Sequence, residues 1–399
     1  MGVRWEYNGS TVGVQWEYGG STMGVRWEYN GSMVGVSTLK ISLFPPCKQL
    51  IFSTGLFSGP IAVAVGDFNN DNRLDLVVAN FYSNNVGVLL GYGDGTFTNP
   101  ITYSTGDGSA PRAINIGYFN NDTRLDIVVS MALSNQIGIL LNVGNGSFTN
   151  PAMFDIEASS YPVGIGVGDL NNDNWTDVMV VHKFLPNIAI FLGSGERIFA
   201  SHNIYSTGTD SGPRSVAVAD FNNDKILDIV VANSVSSNIG VLLGYGDGTF
   251  KNQTTHVTGV GSSPWSVAVG DFNKDFLMDI VVANRYSDNV GILFGSGDGT
   301  FGYSRTYSTG PLSIPLSVAV ADFNRDNTLD IAVVNYYASN LRIFYGDRNG
   351  TFDDQKIYGI GYKSDPLIIT VGDFNNDNWL DIAVIIQGTN SIEVLLKKC

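Results

Sequence analysis

The chain has 399 residues, a formal charge of −15, 44% hydrophobic and 15% charged residues. That balance excludes a disordered polymer, and the acidic surplus excludes a nucleic-acid binder, which needs clustered Lys and Arg. No apolar run of about 18 residues occurs, so no membrane-spanning helix is expected.

There are 47 glycines, and thirty-one aspartates against six glutamates. Helices favour Glu, whereas Asp suits turns and hard-metal sites, so the chain reads as β-rich and turn-rich. The opening MGVRWEYNGS lacks the basic region and apolar core of a signal peptide.

An eleven-residue repeat comes first: GVRWEYNGSTV, GVQWEYGGSTM and GVRWEYNGSMV start at Gly2, Gly13 and Gly24, and a decaying copy starts at Gly35. Copies this alike resemble a translated tandem DNA repeat. Residues 1–46 are expected to be a poorly ordered low-complexity tail, with a few hairpins built on the Trp-Glu-Tyr runs as the alternative.

A second repeat covers residues 47–399. Nonamers of the form D-x-N-x-D-x-x-x-D start at Asp67, Asp169, Asp220, Asp271, Asp322 and Asp373, with a variant at Tyr118, always at steps of 51 residues. Pro60, Pro111, Pro162, Pro213, Pro264, Pro315 and Pro366 keep the same beat. Seven units without length drift imply seven copies of one structural module.

Within the first module, PIAVAVGD, LDLVVAN, NVGVLLGY and TFTNPITYSTG each read as a strand. The first two are apolar on both faces, as in a sheet packed on each side. GYGDGTF reads as a tight hairpin, because Gly and Asp-Gly tolerate positive φ. Four strands in about 50 residues predict a β-propeller blade, and the fold class is all-β, a seven-bladed propeller.

The seventh module ends after its third strand, SIEVLLKKC, whereas IFSTG near residue 51 matches the outer strands of other modules. Residues 48–55 are therefore expected to supply the outer strand of the last blade and close the ring. Aligned on the first module, Cys399 falls at Gly93 and Cys47 at Thr98, on either side of a hairpin. A Cys47–Cys399 disulfide is expected to clamp the closure, worth ~4–5 kcal/mol in the loop-entropy model.

The nonamer brings oxygens to positions one, three, five and nine, with a backbone carbonyl from position seven. Such a set suits Ca²⁺, which takes six to eight oxygens, better than Mg²⁺. The complete sets are Asp67, Asn69, Asp71 and Asp75; Asp169, Asn171, Asp173 and Asp177; Asp220, Asn222, Asp224 and Asp228; Asp271, Asn273, Asp275 and Asp279; Asp322, Asn324, Asp326 and Asp330; and Asp373, Asn375, Asp377 and Asp381. The Tyr118 module keeps Asn120, Asp122 and Asp126, and is expected to be weak or empty.

Position six needs a left-handed backbone. It is Asn in four complete modules but Lys225 and Phe276 in two, which should bind less tightly. About six structural calcium ions are expected, and they would bring the charge from −15 to −3.

VAVGDFNNDNRLDLVVAN followed by GVLLGYGDGTF resembles the FG-GAP/VCBS-type repeat of the integrin α-chain N-terminal propeller and related secreted propellers. The resemblance covers residues 47–399. It implies a seven-bladed propeller with calcium in the loops between first and second strands, and an extracellular or cell-surface setting. Position six is never Gly here, unlike much of that family, and no integrin-type receptor role carries over.

By strand direction, the calcium loops and the hairpins share one face of the ring. The opposite face carries the loops between second and third strands and the entries to first strands, and is the better ligand face. Its candidates are Phe81, Tyr82, Lys183, Phe184, Arg285, Tyr286, Tyr336 and Tyr337, with Arg112, Arg214 and Trp265 after the beat prolines. Aromatics mixed with Arg resemble binding hot spots.

No catalytic motif is present, and His182, His202 and His256 read as plain surface or loop residues. Glycosylation sequons occur at Asn8, Asn30, Asn121, Asn145, Asn174, Asn252 and Asn349, the Asn145 and Asn349 sites lying at hairpin tips. The expected function is a monomeric, non-enzymatic, calcium-binding adhesion or ligand-binding module for protein or glycan. A lectin-like propeller, a polysaccharide-degrading enzyme, or a structural domain of a larger surface protein are the alternatives.

Overall fold

The computed structural model describes residues 2–7, 11–18, 21–28, 48–195, 198–302, 305–352, 354–361 and 364–397. Two units are distinct, Met1–Ser42 and Leu43–Cys399. In the first, strands Gly2–Tyr7, Thr11–Tyr18 and Ser21–Glu28 form an antiparallel meander, with Trp5 opposite Val14 and Trp16 opposite Met23.

The second unit holds seven four-stranded antiparallel sheets. Blade one runs Pro60–Gly66, Asp75–Asn80, Asn85–Leu89 and Ile101–Ser104 from the axis outward. The second strand is buried at every position, as its β-branched run on both faces requires. Gly66 pairs with Asp75, so the nonamer is the turn joining the first two strands.

The first strands of successive blades are neighbours around the axis, and the Pro366–Gly372 strand of blade seven meets the Pro60–Gly66 strand of blade one. Seven bladed sheets thus close a complete ring. Blade seven takes Lys48–Ser53 as its outer strand, with Leu396 opposite Lys48 and Ser391 opposite Ser53. The expected closure by residues 48–55 is present. Cys47 and Cys399 lie outside the described residues.

Between blades the packing is apolar. One cluster joins Val77 and Val88 of blade one to Ile127 and Leu140 of blade two, and another joins Leu76 and Phe97 to Ala383 and Val394 across the closure. A phenylalanine at position two of the nonamer meets the hairpin phenylalanine of the next blade. Phe68 lies 5.6 Å from Phe148, and Phe374 lies 5.8 Å from Phe97, both edge to face. Such pairs add about 0.5–1.5 kcal/mol beyond burial.

Candidate functional site: the aspartate loops and the opposite channel mouth

The six complete nonamers share one conformation. Position six is left-handed throughout, at Asn72, Asn174, Lys225, Phe276, Asn327 and Asn378. Position four is left-handed as well, at Asn70, Asn172, Asn223, Lys274, Arg325 and Asn376. In the first loop the Asp67 carboxylate accepts N–H groups from Asp71 (3.1 Å) and Asn72 (2.8 Å), and the Asn69 amide donates to Asp71 (3.0 Å). The position-one bonds recur at Asp169, Asp220, Asp271, Asp322 and Asp373.

Positions three and five are linked in the same way in every complete loop. The Asn171 amide donates to Asp173 (2.9 Å), Asn222 to Asp224 (2.9 Å) and Asn273 to Asp275 (2.9 Å). Asn324 donates to Asp326 (2.8 Å) and Asn375 to Asp377 (3.1 Å). The other oxygen of each position-five carboxylate accepts the N–H two residues on: Trp175 for Asp173 and Leu277 for Asp275, at 2.8 and 2.9 Å, and Trp379 for Asp377, at 2.7 Å.

Position nine has a distinct task. The Asp75 carboxylate is wholly buried, and its two oxygens accept the Phe68 N–H (2.8 Å) and the Gly91 N–H (2.7 Å). It ties the turn to the end of the third strand, sixteen residues on. Asp126, Asp177, Asp228, Asp279, Asp330 and Asp381 do the same in their blades. Burial pushes each of the seven up to about 6, against the pull of the two amides. Asp126 keeps this role although its loop has Tyr118 at position one, so the role does not depend on a complete donor set.

Positions one, three and five thus organise the loop itself, while position nine ties it to the third strand. Among the described residues, no cluster of three or more acidic, His or Cys side chains is drawn together as a metal group. The hydrogen bonds set the shape of the loop. Each oxygen of position nine accepts one buried amide. Positions one, three and five turn theirs to the loop's own N–H groups, and the Asn amide bridges the position-five carboxylate.

The fit of these loops to a hard cation rests on the chemistry of their donors. Each carboxylate oxygen has a lone pair beyond its amide bond. Positions one, three and five are carboxylate, amide and carboxylate in a single turn, and in the first loop Asp71 lies 3.9 Å from Arg73. The Tyr118 loop differs again. Asn120 still donates to Asp122 (2.9 Å), but Asp122 also pairs with Arg124, which donates to the Asn142 carbonyl (2.8 Å). There an internal cation already offsets the carboxylate.

At the other face the axial channel opens as a cavity of about 540 Å³. Of the candidates, Phe81, Tyr82, Arg112, Arg214, Trp265, Arg285 and Tyr336 line it. Lys183, Phe184 and Tyr286 border this group through stacking. Lys183 Nζ stands 4.6 Å from the Phe184 ring, and the Arg285 guanidinium 4.9 Å from that of Tyr286. Tyr337 does not line the cavity and is exposed.

Arg214 and Arg285 both stack on Trp265, at 4.1 and 4.3 Å from its ring centroid. Tyr161 is not among the sequence candidates, yet Arg112 and Lys183 both lie over its ring, at 5.8 and 4.9 Å. Gln387, also missed, lines the cavity.

The reading of His182 as a surface residue is corrected. It is fully buried on a second strand, with Nδ1 at 2.5 Å from Asn187 Oδ1. It takes the place of an asparagine that elsewhere bonds across the same turn, as Asn80 does to Asn85 (2.8 Å). Burial pushes its pKa below the usual imidazole range. His202 lies on the outer strand, 3.4 Å from Glu157.

The FG-GAP-like repeat profile matches residues 67–129, 119–180, 220–282, 275–333 and 329–384. The chain belongs to the FG-GAP repeat family. No curated protein sequence matches it. Among solved structures, the FG-GAP propeller resembles virginiamycin B lyase from Staphylococcus aureus at 13% identity and a TM-score of 0.63, covering 87% of this chain and 97% of that one. A putative 6-phosphogluconolactonase from Bacteroides fragilis gives 15% identity and 0.57, covering 75% and 86%. BBS1N in complex with ARL6DN gives 15% and 0.55, covering 90% and 94%. At these identities the likeness is one of fold. No helix among the described residues is long and apolar enough to cross a membrane.

Proposed function

We propose that this FG-GAP propeller is a calcium-stabilised, extracellular ligand-binding module whose ligand docks at the channel mouth, and that it is not an enzyme. The observation that carries the reading is the contrast between its two faces. The aspartate loops repeat one conformation around the ring, as a structural device does. The opposite mouth gathers Arg112, Arg214, Trp265 and Arg285 from three blades into one cavity, as a recognition site does.

Calcium would be held by the side chains at positions one, three and five of the six complete loops, with position nine fixing the turn. Bound calcium would neutralise carboxylates that otherwise repel one another within a single turn. Extracellular calcium modules work at about 10⁻⁴–10⁻³ M, which suits loops this exposed. The Cys47–Cys399 disulfide belongs to the same proposal. It is supported by the pairing of Lys48 with Leu396, which sets the segments leading to both cysteines on adjacent strands.

The test is a screen of glycans and extracellular proteins with and without calcium. The reading expects saturable binding, lost on Arg285→Ala or Trp265→Ala and without consumption of the ligand. A sugar ligand would make the module lectin-like. Turnover of a polysaccharide would overturn the reading in favour of an enzyme.

A further inference from the structure

The channel mouth runs against the charge of the molecule. The chain carries −15 overall, yet among the described residues the cavity is lined by three arginines and no carboxylate, Asp365 being the acid that meets the lining Tyr336. Arg112, Arg214 and Arg285 come from blades two, four and five, and Lys183 of blade three stands beside them. Among the described residues, none of these four cations is in an ion pair with a carboxylate. The Nε atoms of Arg214 and Arg285 are buried without a hydrogen-bond partner.

Burial, then the neighbouring Arg112 and Arg285, lowers Arg214 to about 10, and burial with Arg214 and Arg112 lowers Lys183. Like charges gathered in a partly desolvated site destabilise the fold until a counter-charge arrives.

The stacking shows what these guanidinium groups are prepared for. Arg214 and Arg285 lie over the Trp265 ring, and their Nε donors have no hydrogen-bond partner among the described residues, as a site for a planar or tetrahedral oxyanion requires. The wall that blades one, six and seven contribute is largely apolar or aromatic, with Phe81, Leu316, Tyr336 and Leu367, and blade three adds Val163 and Ile165. The cavity therefore has a basic side and an apolar side. Its volume, about 540 Å³, is in the range of small-molecule sites.

We propose that the channel mouth binds a small organic oxyanion. A carboxylate, sulfate or phosphate sits against Arg112, Arg214 and Arg285, and an apolar or ring-shaped body rests on the opposite wall. This rests on the reading of the mouth as the binding face and specifies its ligand. An acidic protein or long polyanion would spread over the rim instead of entering the cavity.

The experiment uses the full chain with calcium at constant ionic strength. Benzoate, phenyl sulfate and phenyl phosphate are titrated by calorimetry and thermal shift, beside inorganic phosphate and the neutral benzyl alcohol. The aryl anions are expected to bind and raise the melting temperature. Inorganic phosphate should bind at least tenfold more weakly and benzyl alcohol not at all. The ranking of the three aryl anions identifies the preferred oxyanion.

Arg214→Gln and Arg285→Gln should each weaken the aryl anion at least tenfold. The same variants should melt at or above the temperature of the ligand-free wild type, since each removes a repelling charge, so loss of fold is separable from loss of binding. Aryl anions that bind no better than benzyl alcohol, variants that keep wild-type affinity, or binding confined to heparin or polyaspartate would each overturn the proposal. If the small anions fail while a ligand from the screen is lost on Phe184→Ala or Tyr337→Ala, the binding face stands and only its anion specificity falls.

Discussion

The Gln49 side-chain amide donates to the Glu393 carboxylate across the seam that closes the ring, joining residues 344 apart in sequence. Glu393 is almost fully buried, and burial pushes its pKa up to about 7. An acid raised on folding binds its proton more tightly in the folded than in the unfolded chain. Its contribution is therefore most favourable below about pH 4.5, declines as pH rises through that region, and levels off above about 7. Glu393→Gln keeps an acceptor for Gln49 and removes the charge. The variant should gain up to about 3 kcal/mol relative to wild type at pH 8 and nothing at pH 4. Urea denaturation at both pH values checks this; equal differences at the two would contradict it.

Two aspartates of one loop should behave differently. Asp228 is buried and holds the Phe221 and Gly244 N–H groups at 2.9 and 2.8 Å. Asp228→Ala strands both donors and should cost about 3 kcal/mol or more, with or without calcium. Asp224 is exposed at position five. Asp224→Ala should cost far less in chelator and mainly reduce the stabilisation that calcium adds. Denaturation of both variants in calcium and in EDTA separates the two roles.

Phe276 is 91% exposed and holds a φ of +66°, a region costly for a bulky side chain. Asparagine occupies the equivalent position in four other loops. Phe276→Asn should stabilise the protein by roughly 0.5–1 kcal/mol, read as a higher melting temperature with no change in the denaturant slope. A neutral or destabilising result would mean that the loop is not strained there.

Much of the architecture is legible in the sequence because the module is strictly periodic. The apolar second strands, the turn at each nonamer and the strand donated by residues 48–53 all follow from one 51-residue phase. That phase also places Arg112, Arg214 and Trp265 together, since each follows a beat proline. Position nine is less transparent: the Gly91 amide that Asp75 accepts comes from the third strand, sixteen residues away. Tyr161 escapes notice because it sits in the left-handed position before Pro162, where nothing in the sequence marks an aromatic platform. The burial of His182 does have a signal, because it occupies the phase of Asn80, whose side chain is also buried.

Calcium in the aspartate loops is proposed to hold the ring. The most direct measurement of this is the melting temperature of the full chain in calcium and in excess EDTA, with bound calcium counted by equilibrium dialysis. About six ions per chain and a melting temperature clearly lower in EDTA are expected. An unchanged melting temperature together with no retained calcium would contradict it.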